Sequence, residues 1–213
     1  MTNVYSKMIK NIIFDLGGVI LTLEQPEAIR RFKALGIADA EQQLDAYTQG
    51  GIFGLLEEGK IDAETFRQEA GKLAGRELTY AECRHAWLGY AKEVPQRNLD
   101  LLVKLRQQGY RLMLLSNTNP YMMSWVRSSE FDGHGHAIDY YLDAVYCSYE
   151  QGVMKPSQEF FERVLRAEQI TPAETLFVDD GVRNVAAASQ LGIRTFCPEN
   201  GKDWTSEIYE FLK

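Results

Sequence analysis

The chain has 213 residues, of which 45% are hydrophobic and 25% are charged, and this globular composition excludes a disordered or fibrous protein. Its formal net charge is −7, and an acidic surface repels phosphate backbones, so neither nucleic acid nor an anionic membrane is expected as a partner. The sequence contains no apolar stretch of about 18 residues, which predicts that it has no membrane-spanning segment.

The cysteines are three in number and lie far apart, at Cys83, Cys147 and Cys197, with no C-x-x-C pair. An odd, dispersed set is typical of buried thiols in a reducing compartment rather than of a disulfide framework. The first apolar run is interrupted by Asp15 and is not followed by a small-residue cleavage site, so no export signal is predicted. We therefore expect a cytoplasmic protein. We also expect it to be a monomer or a weak homodimer.

Short apolar runs rich in β-branched residues predict buried strands, and amphipathic segments between them predict helices. The predicted strands, in chain order, are 11–14, 112–115, 145–147, 175–178 and 195–197. The helices predicted between and after the later strands are 95–108, 157–168 and 182–191. This alternation predicts an α/β fold with a Rossmann-like parallel-sheet core.

Residues 24–93 interrupt this alternation, because they contain no strand-like run. The helices predicted there are 26–35, 39–48, 62–73 and 79–90, with Pro26 and Asp62 as start signals. The glycines that predict a break between the second and third helices are Gly50, Gly51, Gly54 and Gly59. The sequence thus predicts an all-helical domain, 23–93, inserted into a core made of 1–22 and 94–213.

Polar residues follow the predicted strands, where parallel sheets bind their ligands. They are Asp15, Ser116, Asn117, Lys155, Asp179 and Asp180. An aspartate can attack phosphorus, but clustered carboxylates repel one another by about 4 kcal/mol per pair at roughly 4 Å. A divalent cation removes this repulsion, and Mg²⁺ prefers hard oxygen ligands of this kind. The pattern therefore predicts magnesium-assisted phosphoryl transfer.

Each polar group has an expected role in that chemistry. Asp15 and Asp180 supply carboxylate oxygens to the cation, with Asp179 bound directly or through water. Lys155 places positive charge against the phosphate, while Ser116 and the backbone N–H groups that follow it donate hydrogen bonds. Two of these residues also have a simpler structural interpretation. Ser116 could cap the helix that follows it, and we expect this role in addition to phosphate binding. Asp179 and Asp180 could cap the helix that follows them.

Four segments carry a family resemblance. Ile-Ile-Phe-Asp-Leu-Gly-Gly-Val at 12–19 resembles the first motif of the haloacid dehalogenase-like hydrolase superfamily, and Leu-Leu-Ser-Asn-Thr at 114–118 resembles its second. Lys155-Pro156 resembles the third motif, and 177–184, with its two aspartates and a later asparagine, resembles the fourth. The helical segment lies where this family places its type 1 cap. Within this family, the sequence resembles the bacterial α-D-glucose-1-phosphate phosphatase-like branch and also the phosphatase domain of epoxide hydrolases.

The resemblance implies a Mg²⁺-dependent phosphatase that hydrolyses a small phosphorylated metabolite, with a sugar phosphate as one candidate. It implies Asp15 as the nucleophile that forms an aspartyl-phosphate. It also implies the main-chain carbonyl of Gly17 as a further metal ligand, and Gly18, Ser116, Asn117 and Lys155 as the phosphate-binding set. The cap would exclude water and set specificity, and its geometry in relatives suggests that Gln49, Gly50, Gly51 and Phe53 face the active site.

One position departs from the family pattern. Most phosphatases of this superfamily carry a general acid two residues after the nucleophile, where this chain has Gly17. The loss of general acid catalysis removes about 10²–10⁴ in rate, unless the leaving group is good or a cap residue or a bound water protonates it. The alternative is a low-turnover protein that binds a phosphorylated ligand or has a regulatory role. A mutase or a dehalogenase fits Gly17 less well.

A second polar cluster invites a zinc interpretation. Asp132, His134, His136 and Asp139 lie close in sequence, but their spacing matches no zinc pattern and no cysteine is near. We therefore predict a glycine-rich surface loop there.

Overall fold

The computed structural model describes residues 8–44 and 49–213. Its strands are β1 (Asn11–Phe14), β2 (Thr22–Leu23), β3 (Ala91–Glu93), β4 (Arg111–Ser116), β5 (Ala144–Cys147), β6 (Thr175–Val178) and β7 (Arg194–Phe196). Five of them form a parallel sheet in the order β5–β4–β1–β6–β7, while β2 and β3 form a small antiparallel pair. The five predicted strands and the parallel α/β fold are confirmed, with strand ends displaced by one residue at most.

The register of the sheet determines which loops meet at its edge. The central strand β1 is fully buried, and Phe14 aligns with Leu114 on one side and Val178 on the other. Asp15 continues this alignment, because its backbone N–H donates to the carbonyl oxygen of Val178 at 2.8 Å. Asp15, the end of β4 and the loop after β6 are therefore adjacent.

The helices between β2 and β3 are α1 (Gln25–Ala34), α2 (Ala40–Gln43), α3 (Gly51–Glu57), α4 (Ala63–Ala74) and α5 (Tyr80–Trp87). The start signal at Asp62 is confirmed, since its side chain accepts from the backbone N–H of Thr65 at 2.7 Å. Thr79 and Glu82 form a reciprocal capping box at the start of α5. These contacts satisfy backbone donors that the helix starts leave unpaired.

The same helices share an aromatic core. The rings of Phe32, Phe53, Phe66 and Trp87 pack mainly edge to face, with centroids between 4.9 and 6.4 Å apart. This apolar cluster is separate from the clusters on the two faces of the parallel sheet. The division into a core, 1–22 and 94–213, and a helical domain, 23–93, stays a prediction.

The structure corrects three details of this region. Strand β3 lies inside 24–93, where no strand was expected, because a three-residue strand is too short to show a periodic pattern. The glycine-rich segment forms α3 instead of a break. The helix expected over 39–48 is helical at Ala40–Gln43, and residues 45–48 lie outside the described residues.

The remaining helices are α6 (Gln96–Gln107), α7 (Pro120–Val126), α8 (Ser148–Gln151), α9 (Gln158–Glu168), α10 (Val182–Gln190) and α11 (Ile208–Phe211). Three of them, α6, α9 and α10, confirm the predicted helices of the core. The free thiols of Cys83 and Cys147 are buried as expected, but Cys197 is exposed just after β7. Within 8–44 and 49–213, none of the helices combines the length and the apolar character that a bilayer crossing requires.

Candidate active site

The predicted polar residues converge at the carboxyl edge of the sheet. The ammonium nitrogen Nζ of Lys155 lies 3.0 Å from Oδ1 of Asp15 and 2.6 Å from Oδ2 of Asp179. The Lys155 side chain is completely buried, so these ion pairs are shielded from water. Carboxylate oxygens of Asp15, Asp179 and Asp180 all lie within 4.8 Å of one another. Three loops that are remote in sequence thus build a single charged cluster.

Asn117 holds Lys155 in place. Its side-chain Nδ2 donates to the Lys155 carbonyl oxygen at 2.9 Å, and its Oδ1 accepts from the Lys155 backbone N–H at 2.8 Å. Both ends of the amide are therefore engaged with the loop after β5. The Asn117 side chain positions the lysine, and its predicted part in phosphate binding stays a prediction.

The two adjacent aspartates have different surroundings. Asp179 is fully buried, and its carboxylate accepts from Lys155 Nζ, from the backbone N–H of Gly181 at 2.7 Å and from Asn184 Nδ2 at 3.0 Å. Asp180 lines the open cavity beside Asp15. The geometry therefore makes Asp180 the more available of the pair for a ligand, while Asp179 organises the loop.

The cluster carries more negative charge than Lys155 offsets. Burial raises the pKa of Asp15 from 3.8 to about 6 against the lowering effect of Lys155, and Asp179 adds to the rise. Burial, followed by the charges of Asp15 and Asp179, raises the pKa of Asp180 to about 7. Burial alone would lower the pKa of Lys155, but the charges of Asp15 and Asp179 outweigh it and raise that pKa. A bound cation would stabilise the ionised forms of these acids by offsetting their mutual repulsion.

The loop after β1 fits a small cation with hard oxygen ligands. Gly18 has a φ of +73°, and a Cβ at that position would lie 2.1 Å from Oδ2 of Asp180, so the backbone touches the carboxylate closely. Within the described ranges, the one group of three acids or histidines close enough to share an ion is Asp15, Asp179 and Asp180. This all-carboxylate set suits Mg²⁺ better than zinc. The predicted part of the Gly17 carbonyl stays a prediction.

Leu23 fills the space beside Gly17. A Cβ on residue 17 would lie 2.9 Å from Cδ1 of Leu23, which belongs to the short strand β2. A side chain at residue 17 would therefore require the apolar side chain of Leu23 to move.

Ser116 ends β4, is buried and lines the cavity. Its expected second role as a helix cap is wrong, because α7 begins four residues later, at Pro120, and is capped by Asn119. Within residues 8–44 and 49–213, the hydroxyl donates only one long hydrogen bond, of 3.4 Å to the Asn117 carbonyl oxygen, so it is available as a donor to a ligand.

The cavity over these residues encloses about 670 Å³, part of it open to solvent. The groups that α3, α5 and their neighbours contribute to its wall are Gln49, Glu57, Trp87, Tyr90, Asn119 and Met122. Gln49 was expected there, but Phe53 is instead buried among the aromatic rings. The sequence reasoning missed Glu57, which follows a run of glycines, and Asn119, whose place before Pro120 is a helix-start signal.

The histidine-containing loop is a self-contained turn. Oδ1 of Asp132 accepts from the backbone N–H groups of His134 and His136, while Oδ2 contacts His136 Nδ1 at 2.8 Å and accepts from the Tyr141 hydroxyl at 2.7 Å. The aspartate is fully used in holding the loop. This arrangement agrees with the predicted surface loop.

Residues 9–192 match the family model of the haloacid dehalogenase-like hydrolases, which covers most of the chain. The chain belongs to this family. A D-ribitol-5-phosphate phosphatase of Bacteroides thetaiotaomicron is 49% identical to this hydrolase over 205 residues, covering 96% of this chain and 99% of the relative. The resemblance stated from the four motifs is thereby confirmed.

Two solved structures are similar to this hydrolase. A predicted HAD-like family hydrolase from Porphyromonas gingivalis has a TM-score of 0.92 and 43% identity, covering 97% of this chain and 99% of its own. A HAD family enzyme from Bacteroides thetaiotaomicron, in complex with magnesium and inorganic phosphate, has a TM-score of 0.85 and 34% identity, covering 93% and 98%. Both likenesses span the parallel sheet and the helical segment together.

Proposed function

We propose that this hydrolase is a Mg²⁺-dependent phosphatase that hydrolyses the phosphomonoester of a small sugar or polyol, with D-ribitol 5-phosphate as the first candidate. The observation that carries the proposal is the placement of Asp15 against Lys155 and beside Asp180, in a cavity that is open to solvent. The 49% identical phosphatase, matched over nearly its whole length, supports the substrate class.

The cavity wall supports a substrate with one phosphate and several hydroxyl groups. Among the described residues that line it, Lys155 is the one cation, so a single phosphate is matched by a single ammonium group. Gln49, Tyr90 and Asn119 add uncharged polar groups to the lining of the cavity. Amide and hydroxyl groups of this kind hydrogen-bond to the hydroxyls of a sugar or polyol.

In the proposed reaction, Asp15 attacks phosphorus and forms an aspartyl-phosphate while the alcohol departs. Lys155 offsets the charge of the phosphate oxygens, and the Ser116 hydroxyl donates to one of them. Bound Mg²⁺ supplies Lewis-acid stabilisation of the phosphate and offsets the carboxylate charges. A water molecule then cleaves the aspartyl-phosphate and releases inorganic phosphate.

The site residues have these proposed roles. Asp15, Asp180 and the carbonyl of Gly17 hold the metal, with Asp179 behind them as a charge partner of Lys155. The proposed phosphate-binding set is Gly18, Ser116, Asn117 and Lys155, in which Asn117 acts through the lysine that it positions. We also propose that the helical segment 23–93 acts as a cap that closes the cavity over the substrate.

The test measures phosphate release from a panel of sugar, polyol and aryl phosphates, with and without Mg²⁺. We expect turnover of D-ribitol 5-phosphate in the presence of Mg²⁺ and none with Asp15→Asn. Equal activity of the wild type and Asp15→Asn would contradict the nucleophile. Thermal stabilisation by the sugar phosphate without any release of phosphate would instead indicate a binding protein.

A further inference from the structure

The proposed function leaves one chemical requirement unmet at the loop after β1. A sugar or polyol leaves as an alkoxide, which needs a proton as the bond to phosphorus breaks. Gly17 offers no side chain for this, and Leu23 occupies the adjoining space. A proton donor has to come from another part of the cavity.

Three carboxylic acids line the cavity among the described residues: Asp15 and Asp180 on the sheet side, and Glu57. Glu57 is the last residue of α3 and is only 6% exposed. The first two acids belong to the charged cluster around Lys155. Glu57 is outside that cluster and reaches the cavity from the helical segment.

Asn119 presents a second unused group to the same cavity. Its Oδ1 accepts from the backbone N–H groups of Tyr121 and Met122, both at 3.1 Å, which fixes the orientation of the amide. Its Nδ2 is buried and approaches the carboxyl group of Glu57, but it makes no hydrogen bond of full geometry in the part of the chain that the structure describes. A buried donor that is poorly paired costs about 1–3 kcal/mol, so an oxygen bound beside Glu57 would be stabilised there.

We propose that Glu57 is the general acid of this phosphatase, and that Nδ2 of Asn119 binds the leaving-group oxygen beside it. The proposal rests on the phosphatase function given above. It assigns to a helix of the inserted segment the task that Gly17 cannot perform.

The proton balance closes over the two steps. As the Asp15 oxygen bonds to phosphorus, the ester P–O bond breaks, and the leaving oxygen takes the proton of the Glu57 carboxyl and departs as an alcohol. The Glu57 carboxylate then takes a proton from the water that attacks phosphorus. The Asp15–phosphorus bond breaks, inorganic phosphate leaves, and both carboxyl groups return to their starting states.

The electrostatics of Glu57 agree with this role. Burial raises its pKa from 4.5 to about 8, the approach of the Asn119 amide lowers it, and the charge of Asp15 adds a smaller rise. The other charged groups that line the cavity are Asp180 and Lys155. An acid protonated near pH 7 can donate in the first step and accept in the second.

The test compares two substrates in one variant. Glu57→Gln keeps the shape and a polar end but carries no transferable proton, so we expect kcat for D-ribitol 5-phosphate to fall by about 10²–10⁴. With 4-nitrophenyl phosphate, the loss should be smaller by a factor of at least about ten, because its leaving group is a weak base and needs little help from an acid. Glu57→Asp should recover part of the polyol phosphatase activity.

The matched control is Glu58→Gln, on the neighbouring residue, whose side chain is 38% exposed and paired with Lys60. This variant should behave as the wild type with both substrates, and thermal unfolding checks that each variant is folded. Equal losses on the two substrates, or no loss on either, would overturn the proposal. A wild type that releases phosphate from neither substrate would instead overturn the phosphatase function.

Discussion

Asp15→Asn removes one charge from a buried cluster of acids. We expect this variant to lose phosphatase activity while its free energy of unfolding increases. The pKa of Asp15 is raised from 3.8 to about 6, chiefly by burial, against the attraction of Lys155. Because the folded chain holds this proton more tightly than the unfolded chain, the contribution of Asp15 to stability is greatest below about pH 4 and is lost as the pH rises through about 6. Ionised Asp15 therefore destabilises the metal-free fold at neutral pH.

The size of the effect follows from the two pKa values. The difference between 3.8 and about 6, at about 1.36 kcal/mol per pH unit, corresponds to about 3 kcal/mol of unfolding free energy. Asparagine resembles the protonated acid and carries no charge. At pH 8 we expect Asp15→Asn to unfold with a free energy about 3 kcal/mol greater than the wild type, and at pH 5 with about half that gain.

The assay is urea unfolding followed by tryptophan fluorescence, with EDTA present to remove divalent cations. Asp139→Asn, which removes the same charge from an exposed position, is the control and should change the free energy little. Added Mg²⁺ should stabilise the wild type more than Asp15→Asn. If Asp15→Asn is less stable than the wild type at pH 8, the attraction to Lys155 exceeds the cost of burial and the reasoning is refuted.

Two further predictions test the site, and a third tests the aromatic packing of the inserted helices. Gly18→Ala places a Cβ 2.1 Å from Oδ2 of Asp180 at a φ of +73°, so phosphate release should fall at least about 100-fold. Unchanged turnover would contradict the close approach of this backbone to Asp180. Removal of divalent cations should abolish phosphate release, and Mg²⁺ should restore it; full activity in EDTA would contradict a metal site. Phe53→Ala opens a cavity among the aromatic rings and should cost about 3–5 kcal/mol in urea unfolding, whereas a cost below about 1 kcal/mol would contradict the packing.

The sheet and its polar edge could be predicted from the sequence because both depend on local patterns. Buried strands appear as short apolar runs, and residues such as Asp15 and Ser116 follow them directly. Parallel strands then bring these ends together without any further information. The contact by which Asn117 positions Lys155 could not be predicted. Its partner is a backbone segment 38 residues away, and no local spacing in the sequence indicates that contact.

Helix α3 shows why the rest could not be predicted. Glycine in a helix usually signals a break, but a Cβ at Gly54 would lie 2.4 Å from the carbonyl oxygen of Gln49, so this glycine permits a close backbone approach. The helix that follows delivers Glu57 to the cavity. Because the segment was interpreted as a break, its acid was not considered as a candidate.

The contact between Leu23 and the position of Gly17 also constrains how this protein could have evolved. An aspartate that appeared at residue 17 by a single mutation would meet the leucine methyl group before it reached any substrate. Because the close atoms belong to the end of a flexible side chain, Leu23 would have to change its rotamer or be replaced before residue 17 could carry an acid.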